Sequence, residues 1–110
     1  MGTPSIGSVV LVPFPFSDLS NSKKRPAVVV ASADRGDWIL CQITSNPYSD
    51  PNSIPLDPKD FVHGGLQIRS YARPAKLFTA NESLIISDAG QLTVDSIQSI
   101  RNQIITLLST

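Results

Sequence analysis

Cationic and hydroxyl side chains at the ends of apolar runs are where this 110-residue chain could do chemistry. Lys23, Lys24 and Arg25 stand directly before Pro26, and the run Val28-Val29-Val30 follows. β-Branching restricts χ1 and favours an extended strand buried on both faces. Pro26 lacks a backbone donor and so suits that strand's first residue. Arg25 is thereby held at the mouth of a rigid strand, where a guanidinium can grip an anionic ligand. Taken alone, the same residues also describe a charged loop followed by a core strand.

Other chemistries find less support. His63 is the only histidine and Cys41 the only cysteine. With scattered aspartates they form no ligand cluster at metal-binding spacing, so neither a metal centre nor another cofactor is expected. A Ser-His-Asp triad would need His63 as its base, and no nucleophile-elbow glycine pattern accompanies it. His63, before Gly64-Gly65, reads as a loop residue. Cys41, among Trp38, Ile39, Leu40 and Ile43, reads as a buried thiol acting as a small hydrophobe. Paired carboxylates for glycoside chemistry lack an apolar pocket signal.

Nine basic and nine acidic residues cancel to zero net charge. That argues against a non-specific nucleic-acid coat, which gains from a basic surplus, and leaves room for a local patch at 23–25. A single cysteine fits a reducing cytoplasm. No apolar run approaches a membrane span, and the N-terminus lacks the pattern of a signal peptide. A hydrophobic content of 41% in this length predicts one domain over 1–110 with one core.

Nine prolines and six glycines favour strands over a helical bundle. The first strand is expected from Gly7 through Val12, after which Pro13 and Pro15 force an extended, unpaired exit. Ser17 to Lys24 forms the polar tip of a hairpin, and Ala33 to Asp37 a turn with Gly36 at positive φ. Trp38 to Thr44 makes a third strand that delivers Thr44 and Ser45 at its end. A short strand follows at Ile54 to Leu56. Gln67 to Phe78 can be extended, with Pro74 breaking it or confining it to an edge, and Ala89-Gly90 reads as a turn. From Val94 to Leu108 the period changes: Ile97, Ile100, Ile104 and Leu107 or Leu108 fall at helical spacing, with Thr93 as N-cap and Asp95 in the first turn. Arg101 points within the apolar arc, either at the stripe's edge or against a partner subunit. The sum is a small, mainly β barrel of short antiparallel strands with a C-terminal helix.

Gly7-Ser-Val-Val-Leu-Val-Pro-Phe, Arg25-Pro26-Ala-Val-Val-Val-Ala-Ser32, Cys41-Gln-Ile-Thr-Ser45 and Ser70-Tyr-Ala-Arg-Pro-Ala-Lys-Leu-Phe-Thr79 occur in that order. Together with Gly90-Gln91-Leu92 and the closing helix, they resemble the MazF/PemK toxin family over nearly the whole chain. The resemblance implies a homodimeric SH3-like barrel, the toxin of a type II toxin–antitoxin system, that cleaves single-stranded RNA at short sequences without a metal. The RNA's own 2′-hydroxyl attacks the adjacent phosphorus, leaving a 2′,3′-cyclic phosphate and a 5′-hydroxyl, and a cognate antitoxin covers the RNA groove.

Matched residue by residue, the family's arginine falls on Arg25 and its threonine on Thr44, the implied catalytic pair. A guanidinium fork and a hydroxyl suit the charge that gathers on the non-bridging oxygens in the transition state. Ser70 matches the serine opening a later family strand, Lys76 a substrate-contacting position, and Arg73 could track phosphates beside it. Ser17 to Lys24 corresponds to a loop over the substrate, which brings Phe16, Ser17, Lys23 and Lys24, with Ser45, into the RNA-binding set. Phe14, Phe16 and Tyr71 are candidate base-stacking platforms, and core or hairpin packing accounts equally well for Phe14 and Phe16.

Two departures stand out. Ser8 replaces the acid of a usual Gly-Asp opening, which puts a structural hydrogen bond in question, and Lys23-Lys24 stand near where many members carry a glutamate. Two alternatives compete with the nuclease. CcdB-like toxins share the barrel but inhibit DNA gyrase through an aromatic-containing tail, whereas this chain ends Leu107-Leu108-Ser109-Thr110. A catalytically inactive barrel that binds a peptide would differ by loss of Arg25 or Thr44, and both are present.

Overall fold

The computed structural model describes residues 3–15 and 22–110, with the side chains at 14, 15, 22 and 23 outside that description. Among the described residues, seven antiparallel strands and one α-helix follow one another: β1 (Ser8–Pro15), β2 (Ser22–Ser32), β3 (Asp37–Thr44), β4 (Ile54–Leu56), β5 (Phe61–Gly64), β6 (Ser70–Asn81), β7 (Ser87–Leu92) and α1 (Val94–Leu108). They form a single curled half-barrel sheet in the order β4-β6-β3-β2-β1-β7-β5.

The valine run behaves as its side chains demand. Val28 and Val30 face one core cluster with Val9, Cys41, Ile43, Leu56, Leu92 and the helix residues Ile97, Ile100 and Ile104. Ala27 and Val29 face a second cluster with Val10, Val12, Leu40, Ala80 and Ile85. Burial on both faces accounts for the unbroken apolar run in place of alternation. The helix has the expected bounds, and the Thr93 hydroxyl accepts from Ser96 N at 3.1 Å, satisfying one of the donors a helix start leaves over. Arg101 is exposed.

The prolines correct the expected strand limits. β1 runs on through Pro15, paired with β2 as far as Pro15↔Ser22, so its exit is not unpaired. The Leu11 carbonyl accepts from Ile86 N at 2.8 Å on the β7 side. The two-residue period puts the nitrogens of Pro13 and Pro15 on that same side, beyond the last β1–β7 pair at Leu11↔Ser87. Their missing donors remove no ladder bond. Pro26 lies inside β2 and not at its start, opposite Leu11; its nitrogen faces β3 one residue before that ladder begins at Ala27↔Gln42.

Pro74 does not break or edge its strand either. β6 lies between β4 and β3, and its register against β3 jumps from Leu77↔Cys41 to Ala72↔Ile43. Residues 73–76 therefore arch out as a bulge, the setting in which proline is tolerated within a sheet, and Pro74 packs fully buried there.

Ala89-Gly90 is strand and not turn, since β7 pairs with both β1 and β5. A Cβ on Gly90 would lie 2.6 Å from the His63 carbonyl oxygen, so only glycine lets β5 approach. Ser8 makes hydrogen bonds of its own at this position: its Oγ accepts from Ser5 N at 3.1 Å and donates to Gln91 Oε1 at 3.3 Å, tying β1 to β7.

Ile100 is fully buried between the helix and the sheet. Ile100→Ala should lower unfolding free energy by about 2–5 kcal/mol, read as a fall in the urea midpoint without a change in slope.

Candidate active site

The register of β2 and β3 brings the two expected catalytic residues together. Continued two residues past its last pair, Ala27↔Gln42, the ladder sets Arg25 beside Thr44. Both are half-buried and line two adjoining cavities. One, of about 250 Å³, is lined by Arg25, Gln42, Ile43, Thr44, Tyr48, Arg73 and Lys76. The other, of about 340 Å³, adds Ser45, Ser70 and the 65–68 segment. That segment also walls a third cavity, of about 470 Å³, that reaches Arg69.

The bulge in β6 is what places Arg73 and Lys76 on the first cavity. Regular pleating would alternate side chains across the sheet, whereas an arch at 73–76 turns both toward Arg25. Arg73 is also held from behind: its Nε donates to Asp50 Oδ2 at 3.1 Å, with only 16% of the Arg73 side chain and 9% of Asp50 exposed. The Tyr48 ring lies against the same guanidinium, 5.5 Å from centroid to Cζ.

Asp50 uses both oxygens, Oδ1 accepting from Asn52 N at 2.9 Å. That backbone donor is the main reason its carboxyl is held below the usual value; burial acts in the opposite sense, and Arg73 lowers it further. Beneath the bulge, burial pushes the Cys41 thiol up to about 12, against a smaller opposing effect from the Arg73 backbone N–H. Cys41 is therefore the buried, unreactive thiol its neighbours predict.

The Thr44 hydroxyl is occupied in this state. It donates to Asn46 O at 3.0 Å and accepts from Asn46 N at 3.2 Å. Its one proton can reach a ligand only by leaving the Asn46 carbonyl. Ser70 is buried and donates to Ile68 O at 2.8 Å, so it supports the wall of the second cavity from its rim.

The remaining expected residues divide. Lys24 is exposed and lines none of these three cavities. Tyr71 is half-buried beneath Arg69, 5.7 Å from ring centroid to Cζ, and also lies outside the linings. Phe16 and Ser17 fall outside the described residues, as do the side chains of Phe14 and Lys23. His63 is exposed on β5 and lines none of the three cavities. Sequence reasoning missed Tyr48, Asp50 and the 65–68 wall. An aromatic in the Asn46-Pro47-Tyr48-Ser49 loop just past Thr44 was the one available signal.

A curled antiparallel half-barrel closed by one helix, with a cationic groove at the end of its central strands, is the class of protein these features define. The chain belongs to the PemK-like, MazF-like toxin family of type II toxin-antitoxin systems, whose model matches residues 5–108. No protein of curated function matches the sequence. Solved structures share the fold at low identity. A MazE-MazF crystal structure from Deinococcus radiodurans superposes with a TM-score of 0.79 at 19% identity, over 100% of this chain and 99% of that one. A mycobacterial endoribonuclease in complex with its cognate antitoxin gives 0.74 at 16%, over 99% and 96%. The Mycobacterium tuberculosis toxin MazF-mt6 gives 0.67 at 13%, over 91% and 96%.

Because the Asp50 carboxyl is held low by groups that exist only in the fold, its contribution to stability is complete above the ordinary aspartate value and is lost as pH falls through the lowered one. Asp50→Asn should lower the melting temperature at neutral pH and flatten the acid limb of stability against pH. A parallel acid limb in the variant would show that Asp50 is not the group responsible. Native protein should resist iodoacetamide at pH 8 and react at Cys41 only when unfolded, as followed by intact mass.

Proposed function

We propose that this protein is a toxin acting as an endoribonuclease on single-stranded RNA, cutting at short sequences without a metal ion. The observation that carries it is the convergence of Arg25, Thr44, Arg73 and Lys76 on one cavity. Three cations and a hydroxyl there match a phosphodiester and the charge it develops.

The RNA's 2′-hydroxyl oxygen attacks the adjacent phosphorus and loses its proton as the new O–P bond forms. The bond from phosphorus to the 5′ oxygen breaks, and that oxygen takes up a proton, so a 2′,3′-cyclic phosphate and a 5′-hydroxyl result. Arg25 presents its fork to the non-bridging oxygens, where charge is greatest in the transition state. A guanidinium with a pKa above about 12 is a poor base, so its part is electrostatic. Thr44 exchanges the Asn46 carbonyl for a phosphoryl oxygen. Arg73 and Lys76 hold neighbouring phosphates, and Ser45 and Ser70 line the onward path.

The toxin family and the antitoxin-bound relative of the same fold support two further parts of this reading: a cognate antitoxin that covers the groove, and a homodimeric toxin. Among the described residues no helix is long and apolar enough to cross a membrane, and the cytoplasm, where messenger RNA is translated, is the proposed site of action.

Incubated with a long single-stranded RNA in EDTA, wild-type protein should make discrete cuts with 5′-hydroxyl ends. Arg25→Ala and Thr44→Ala should each lower kcat by about 10²-fold or more. Arg25→Lys should also lose most activity, because it keeps the charge and loses the bidentate geometry. Intact RNA after incubation with well-folded wild type would remove the nuclease reading and leave a binding barrel.

A further inference from the structure

Tyr48 is an aromatic left in water at the mouth of a cationic cavity. It is 68% exposed, yet it lines the same cavity as Arg25, Thr44, Arg73 and Lys76. Large aromatic side chains ordinarily bury most of their area, so an exposed one held in place invites a ligand.

It is held in place from several directions. Tyr48 N donates to Asn46 Oδ1 at 2.9 Å, and Asn46 is tied by its backbone to the Thr44 hydroxyl. Tyr48 and Ser49 follow one another at φ of 54° and 59°, a left-handed conformation that non-glycine residues adopt seldom and that marks sites where a side chain is aimed. The guanidinium of Arg73 lies against the ring, and Asp50 pins that guanidinium through Nε. Four further N–H donors of Arg73 can serve a phosphate while the ring takes the base attached to the same nucleotide.

Resting on the nuclease reading above, we infer that Tyr48 is the stacking platform for an unpaired nucleobase beside the scissile phosphate, and that the Asn46 turn and the Asp50–Arg73 pair are its positioning groups. Stacking is the contact an unpaired base makes with an aromatic ring, and it tolerates sequence because every base has a π face. Tyr71, one of the three aromatics that sequence pointed to with Phe14 and Phe16, is half-buried under Arg69 and outside these cavities.

The test uses the full chain and an oligoribonucleotide spanning a mapped cut, with 2′-deoxyribose at the cleaved position so that it binds without reacting. Wild type, Tyr48→Phe and Tyr48→Ala are titrated against the intact oligomer and a series carrying one abasic site at each position. Tyr48→Ala should weaken binding of the intact oligomer by roughly 5- to 100-fold, with Tyr48→Phe near wild type. At one position next to the cut, the abasic site should weaken wild type by a similar factor and leave Tyr48→Ala unchanged. Wild-type affinity and cutting in Tyr48→Ala, or losses that add at every abasic position, would overturn the platform while the nuclease stands. A wild type that neither binds nor cuts RNA would overturn both, and the two failures are distinct.

Discussion

The register between β2 and β3 is the constraint on which the site depends. Both strands are buried on both faces, Val28 and Val30 against the helix side and Ala27 and Val29 against the other. A slip of one residue would exchange the faces and turn the half-buried Arg25 and Thr44 away from one another. Two-sided burial makes that slip costly, because every apolar contact along both strands changes at once. The meeting of a guanidinium and a hydroxyl at the strand ends thus follows from packing some distance away.

The β2–β3 register alone would still leave Arg73 and Lys76 misplaced. The arch at 73–76 resolves a conflict between a proline and a ladder by removing Pro74 from pairing and burying its ring. The same departure carries two cations to the cavity where Arg25 and Thr44 sit. Asp50 then stabilises the arrangement at some cost in positive potential, since it partly neutralises Arg73. What it confers is position: a long, flexible side chain reaches the site already oriented.

The loop from Thr44 to Asp50 joins the proposed catalytic hydroxyl to the proposed base platform. The Thr44 hydroxyl closes on Asn46, Asn46 closes on Tyr48, and Asp50 closes on Arg73, which packs against Tyr48. A ligand that draws the Thr44 proton away from the Asn46 carbonyl loosens the first link of that chain. The hydrogen bonding of Thr44 and the placement of Tyr48 are therefore not independent.

Local sequence determined a good deal. The valine run and its burial, the third strand ending at Thr44, the Gly36 turn, the capped helix with Ile97, Ile100 and Ile104 inward, and the inert thiol all rest on side-chain stiffness, periodicity or neighbouring residues, which need no knowledge of distant partners. The order of the motifs was enough to indicate the family. Proline positions misled wherever pairing decides their cost, because a missing donor matters only if a neighbouring strand would have accepted it. β7 was hidden for a similar reason: Gly90 looks like a turn until β5 is seen to need the space a Cβ would fill. Tyr48, Asp50 and the walls of the groove were decided by tertiary structure alone, since a bulge and a left-handed loop bring together residues that no spacing along the chain relates.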